Sequence, residues 1–154
     1  KLDDNAHILL RFKGGAKGML WSSQISPGNE NALKLRVFGE NGSISWSQED
    51  PNYLWYSKLN EPKQLITRNG HGFDNSLSRL CRVPPGHPEG YLESFANLYL
   101  EFAEAIENFR KNPDKPLKKN FPTIEDGLNG MEFIMSCIES SKNNSKWVNL
   151  NCYF

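Results

Sequence analysis

The sequence predicts an α+β fold: a large, mostly antiparallel sheet, formed by a meander of about six strands plus a C-terminal edge strand, with two amphipathic helices packed on one face. Two observations carry that expectation. Residues 6–68 alternate apolar and polar side chains with period two between short turns, whereas residues 91–142 repeat their apolar side chains at helical spacing. At 154 residues the chain reads as one domain, 1–154, long enough to bury about two-thirds of its unfolded surface.

The first strand-like run puts Ala6, Ile8, Leu10 and Phe12 on one side and His7, Leu9 and Arg11 on the other. Lys13-Gly14-Gly15-Ala16 supplies the tight turn, and the return strand over about 17–26 alternates Met19, Trp21, Ser23 and Ile25 against Leu20, Ser22 and Gln24. Pro27-Gly28-Asn29-Glu30-Asn31 breaks it. A third strand, about 33–39, opposes Leu33, Leu35 and Val37 to Lys34, Arg36 and Phe38, and Asn41-Gly42 marks the next hairpin. Strand four sets Ile44 and Trp46 against Ser43, Ser45 and Ser47. Asp50-Pro51-Asn52 turns the chain into 53–59, and Asn60-Glu61-Pro62-Lys63 turns it into 64–68. Residues 145–150 are expected to close the sheet as an edge strand. The face opposite the helices mixes Leu9, Phe38, Leu54 and Tyr56 with Arg11, Lys34 and Arg36, which suits a partner sheet.

Residues 69–90 show no period and are expected to form a long loop. Tyr91, Phe95, Leu98, Phe102, Ala103, Ile106 and Phe109 then fall on one helical stripe that Pro113 ends. A second helix is expected over about 123–142, with Thr123 as N-cap, Asp126 completing a capping-box variant, and a stripe of Ile124, Leu128, Met131, Ile134, Met135 and Ile138.

Eighteen basic and eighteen acidic residues leave no net charge, which argues against a large phosphate-binding surface and against nucleic acid as partner. Lys111, Lys115, Lys118 and Lys119 crowd one loop, but a solvated loop explains them. Cys81, Cys137 and Cys152 are an odd set without paired spacing, read as reduced thiols of a cytoplasmic protein. No apolar run approaches membrane-spanning length, and no signal peptide is visible. The chain opens on Lys-Leu-Asp-Asp without Met and is expected to be a piece of something longer.

Gly70-His71-Gly72 is half a dinucleotide fingerprint with no helix pattern directly behind it, so no cofactor-binding residue is assigned. His71, Cys81 and His87 match no zinc-ligand framework, and no metal is assigned. His87 stands apart. Gly86-His87-Pro88-Glu89-Gly90 holds an imidazole just ahead of a helix start, where N–H groups favour anionic or hydroxylated ligands. An imidazole there can donate to or accept from a substrate hydroxyl, or it can simply cap the helix. Gln24 and Asn29 lie at a strand end and its loop, where ligand contacts collect and where turn residues also belong.

The string Phe-x-x-Gly-Ala-x-Gly-x-Leu-Trp-x-Ser-Gln from Phe12 to Gln24 resembles the C-terminal half of the glucose–fructose oxidoreductase, inositol dehydrogenase and MocA (Gfo/Idh/MocA) family. So do Pro-Gly-Asn-Glu-Asn (27–31), Val-Phe-Gly-Glu-Asn-Gly (37–42), Gln-Glu-Asp-Pro-Asn (48–52), Gly-His-Pro-Glu-Gly-Tyr-Leu-Glu-Ser-Phe-Ala-Asn-Leu-Tyr (86–99) and Pro-Thr-Ile-Glu-Asp-Gly (122–127). The resemblance covers roughly 5–150. It implies a domain with helices on one sheet face and an oligomer contact on the other, joined in the parent to an N-terminal Rossmann domain that binds NAD or NADP. The family's Glu-Lys-Pro and Asp-x-x-x-His motifs are not in this sequence, so no catalytic residue is assigned. What carries over is a substrate-binding set: His87, with Gln24 and Asn29.

The expected function is therefore the substrate-side and oligomerisation domain of an NAD(P)-dependent sugar or polyol dehydrogenase, inactive when isolated. Its partners would be the Rossmann domain, a small sugar or polyol, and further copies of itself. The rival is a free-standing carbohydrate-binding or sheet-mediated assembly module using Trp21, Trp46, Trp55 and Trp147. Most of these read more simply as core, since Trp21 and Trp46 share faces with Met19, Ile25 and Ile44.

Overall fold

The computed structural model describes residues 3–116 and 120–150, so Lys118, Lys119 and Cys152 lie outside the described residues. Its strands are β1 (Asn5–Arg11), β2 (Lys17–Ser23), β3 (Lys34–Phe38), β4 (Gly42–Ser47), β5 (Tyr53–Lys58) and β6 (Gln64–Thr67). Its helices are α1 (Tyr91–Lys111) and α2 (Ile124–Lys142), with a 3-10 helix at Asn75–Leu80. The α+β class and the antiparallel pairing stand. The meander, however, is divided: β1 pairs with β2, and β3-β4-β5-β6 form a separate four-stranded sheet. The Pro27–Asn31 run explains the break, because it spaces β2 from β3 by an irregular connection instead of a hairpin turn. Two compact units result, Lys1–Gly28 with Lys119–Phe154, and Asn29–Lys118.

In the first unit the turn is closed by the Phe12 N–H donating to the Ala16 carbonyl at 3.0 Å, and the register pairs His7 with Trp21 and Leu9 with Met19. Directly opposed residues share a face. Trp21 and Met19 therefore lie with His7, Leu9 and Arg11, opposite to the Ala6–Ile8–Leu10 side, and Trp21 is 59% exposed. The core expectation for Trp21 is thus corrected: it shares a face with Met19 as expected, but that face is exposed. Trp21 stacks on His7 with ring centroids 5.7 Å apart, and its indole N–H donates to Asn5 Oδ1 at 2.8 Å.

Helix α2 begins as expected. The Thr123 N–H donates to Asp126 Oδ2 at 2.7 Å, and Thr123 Oγ1 accepts from the Asp126 N–H at 3.5 Å. Its far end overturns the expected edge strand. Asn144 and Ser145 take left-handed φ of 56° and 59°, the Ser145 N–H returns to the Ser140 carbonyl, and residues 146–150 form no strand. Trp147 instead lies under the Arg11 guanidinium, 3.8 Å from the ring centroid.

In the second unit Leu35, Trp46, Leu54 and Ile66 align across the four strands, as do Val37, Ile44, Tyr56 and Gln64. Leu54 and Tyr56 accordingly belong to the apolar face and not to the mixed one. The mixed face carries Lys34, Arg36 and Phe38 with Tyr53, Trp55 and Leu65. The Asn41-Gly42 signal marks a real hairpin for a different reason than positive φ. Gly42 opens β4 where an added Cβ would stand 2.6 Å from the Ser57 carbonyl oxygen.

Helix α1 has the expected start and ends at Lys111, before its C-cap Asn112, but its covered side is the row Glu93, Asn97, Glu101 and Ala105 and not the expected apolar stripe. Phe95, Leu98, Phe102 and Phe109 keep about half of their surface exposed; Ala105 is buried. The loop expected over 69–90 contains the unforeseen 3-10 helix. Asp74 caps it by accepting the Ser76 N–H at 2.9 Å, a bond that lowers the Asp74 carboxyl below its ordinary pKa.

Candidate functional site

The site is built around a segment that has little means of holding itself. Pro84, Pro85 and Pro88 remove three backbone donors from residues 83–90. Within it, the His87 N–H donates to the Pro84 carbonyl at 3.4 Å, closing a turn with Pro85 second and Gly86 third. Gly86 has φ +84°, the conformation a type II turn demands at that place and glycine supplies without strain. His87 is the fourth residue of this turn and is exposed.

Arg68, immediately after β6, anchors the segment. Its Nε donates to Asn52 Oδ1 at 2.8 Å, Nη1 to the Val83 carbonyl at 3.2 Å, and Nη2 to the His87 carbonyl at 2.7 Å. The Arg68 backbone N–H also donates to the Asn52 carbonyl at 2.9 Å, tying the anchor to the β4–β5 turn. Glu89 Oε2 lies 2.6 Å from Nη1 as an ion pair without hydrogen-bond alignment, while its Oε1 accepts the Arg82 N–H at 2.7 Å. The pair is covered: 14% of the Arg68 side chain and 4% of the Glu89 side chain are exposed.

The next layer joins this segment to α1. The Asn97 amide donates to the Leu80 carbonyl at 3.0 Å, Arg82 Nη1 to the Glu93 carbonyl at 3.0 Å, and Arg79 pairs with Glu101. Gly90 is the N-cap of α1, so His87 does not cap that helix. Glu93 reaches back to accept the Gly90 N–H at 2.9 Å, and this bond holds its carboxyl below the ordinary range. The helix start expected to attract an anion is thus already met by the chain's own carboxylate.

Gln24 sits just past β2, exposed, with its N–H donating to the Asp4 carbonyl at 2.8 Å. Asn29 is exposed at the first position of the second unit. Gln24 belongs to the first unit and Asn29 and His87 to the second. Arg68 and Glu89 were not singled out by sequence reasoning. Glu89 stands inside the Gly-His-Pro-Glu-Gly run and was legible as part of a motif, whereas Arg68 has no local signal.

A dinucleotide does not fit Gly70-His71-Gly72. The Gly70 N–H closes a turn onto Thr67, and the chain beyond it winds into the short 3-10 helix, not an α-helix start able to receive a pyrophosphate. Among the described residues no three His, Cys, Asp or Glu side chains come together as a metal site, and no helix is long and apolar enough to cross a membrane. Cys81 and Cys137 are free thiols, and burial pushes the Cys137 thiol up.

Residues 1–150 match the oxidoreductase family, C-terminal alpha/beta domain (Gfo/Idh/MocA). The chain is 35% identical over 149 residues to an uncharacterized oxidoreductase, YfiI, of Bacillus subtilis strain 168, covering 96% of this chain and 38% of that one. An oxidoreductase crystal structure from Sinorhizobium meliloti is 50% identical with a TM-score of 0.88, covering 97% of this chain and 42% of that one. An inositol dehydrogenase homolog from Azotobacter vinelandii, in complex with NADH and myo-inositol, is 31% identical with a TM-score of 0.88, covering 96% and 39%. This chain therefore spans about two-fifths of the length of the relatives it matches.

Proposed function

The chain belongs to the Gfo/Idh/MocA oxidoreductase family, as its C-terminal alpha/beta domain, and from that membership we propose that it is the substrate-side and oligomerisation half of an NAD(P)-dependent sugar or polyol dehydrogenase. In the full protein the nicotinamide, held by an N-terminal Rossmann domain, supplies hydride chemistry at a carbinol carbon. The residues of this chain bind and orient the polyol. His87, carried on its type II turn, is the principal hydroxyl contact, and Gln24 and Asn29 are further contacts. The reading is carried by the match to a relative solved with NADH and myo-inositol, joined to an exposed His87 on an anchored turn. Free Cys81 and Cys137 agree with a reducing, cytoplasmic setting.

The purified 154-residue chain, given NAD(P) and a panel of polyols, is expected to show no turnover, and the full protein to show it. Turnover by the chain alone, or none by the full protein with any polyol or sugar, contradicts the proposal. The mixed face of β3–β6, with Phe38 72% exposed beside Lys34, Arg36 and Trp55, is the proposed contact between copies. Light scattering of the full protein should give a dimer or larger species, and a strict monomer at high concentration removes that part.

One observation favours a second reading, a carbohydrate-binding module without redox activity. Trp21 is exposed beside Asn5 and His7, a combination that can stack on a sugar ring. Saturable sugar-dependent Trp fluorescence in the chain alone, lost in Trp21→Ala, would favour it.

A further inference from the structure

We propose that Arg68 and Glu89 are positioning residues: together they hold the Pro-rich segment 83–90 against the β4–β5 turn and thereby set where the His87 imidazole is presented. The consequence for substrate binding rests on the reading of His87 as a hydroxyl contact, but the anchoring itself does not.

The chemistry is set by the donors the segment lacks. Three prolines leave it poor in N–H donors but rich in carbonyls, so it cannot be fixed by adding a strand to a sheet. An anchor for such a segment must donate and need not accept. Arg has five N–H donors in a fixed plane and no acceptor. Arg68 spends them on both sides of the turn, on the Val83 carbonyl before it and the His87 carbonyl after it, with a longer 3.5 Å contact to Pro84 between. A guanidinium bridging both ends of one turn restricts its rotation, whereas a single bond at either end would leave a hinge. Asn52 takes Nε and so fixes the guanidinium plane.

Glu89 does two things. Its carboxylate balances the covered guanidinium at 2.6 Å, and its second oxygen accepts the Arg82 N–H, fastening the segment's beginning to its end. Both partners are covered, while His87 stays exposed. The ion pair thus acts through the main chain of residue 87 and never touches a substrate.

The test uses Arg68→Lys, which keeps the charge but loses the fork, and Glu89→Gln, which keeps the shape and one acceptor. In the 154-residue chain, backbone amide order parameters of Gly86, His87, Glu89 and Gly90 should sit near the rigid range of about 0.85 in the native protein and fall below about 0.6 in Arg68→Lys, with β3–β5 unchanged. A native segment already as mobile as a free loop overturns the proposal without any variant. So does a rigid segment in both variants, or order lost equally from the strands. In the full protein, Arg68→Lys should raise KM for the polyol several-fold with little change in kcat, and Arg68→Lys combined with His87→Ala should be no worse than His87→Ala alone. If His87→Ala leaves KM unchanged while the segment loosens as described, the substrate reading fails and the anchoring stands. Additive losses in the double variant overturn the link between anchor and imidazole.

Discussion

Replacing Arg68, whose side chain is 14% exposed, by Met leaves the Glu89 side chain, 4% exposed, with the Arg82 N–H as its one partner among the described residues. Losing one member of a buried ion pair costs about 3–5 kcal/mol, because the survivor keeps its desolvation penalty without its counter-charge. The bonds from Arg68 to Asn52, Val83 and His87 disappear with it, but their acceptors can turn to water, so the lower half of that range is expected. Replacing both partners, Arg68→Met with Glu89→Met, removes the stranded charge and should be more stable than Arg68→Met alone by roughly 1 kcal/mol or more. Urea unfolding of the native chain, both single variants and the double variant, read as shifts in free energy, completes the cycle. Losses that simply add, or an Arg68→Met deficit under about 1 kcal/mol, would show that the pair is not coupled as described.

The helices and the sheet give three further expected outcomes. Thr123→Ala should lower stability by about 1 kcal/mol through loss of the α2 cap, and an unchanged urea midpoint would refute the cap's role. Glu93 has its pKa lowered by the Gly90 N–H, so its contribution is present above the ordinary carboxyl value and lost as pH falls through the lower folded one. Stability measured across that acid window should drop in the native chain and stay flatter in Glu93→Gln; parallel profiles would contradict this. Gly42→Ala should cost about 1–3 kcal/mol, since its Cβ meets the Ser57 backbone oxygen at 2.6 Å, and a neutral result would mean that β4 and β5 can part there freely.

Legibility in the sequence tracks the range of the forces involved. Helix α2 was readable to the residue at its start, because Thr123 and Asp126 satisfy each other within one turn. The six strands were readable because alternation is local. Which face is covered was not, because it depends on pairing between strands: Trp21, expected in the core beside Met19, lies exposed across from His7, and Leu54, expected on the mixed face, lies across from Trp46 on the apolar one. The expected strand at 145–150 failed where Asn144 and Ser145 turned left-handed and Arg11 claimed Trp147, a contact from a strand far away in sequence. The candidate site divides in the same way. Gly-His-Pro-Glu-Gly was visible as part of a Gly/Pro loop ahead of a helix, a setting that marks His87 on its own chemistry. Arg68 was invisible, since only the folded second unit brings it to the carbonyls of residues 83 and 87.

The central claim is that His87 lies on the substrate side of a dehydrogenase, and steady-state kinetics of His87→Ala in the full protein test it most directly. Loss of one hydroxyl hydrogen bond is worth about 0.5–1.5 kcal/mol, so KM for the polyol should rise about two- to twelvefold. The KM for NAD(P) should stay at its native value. An unchanged polyol KM, or a loss confined to nicotinamide binding, would contradict the assignment.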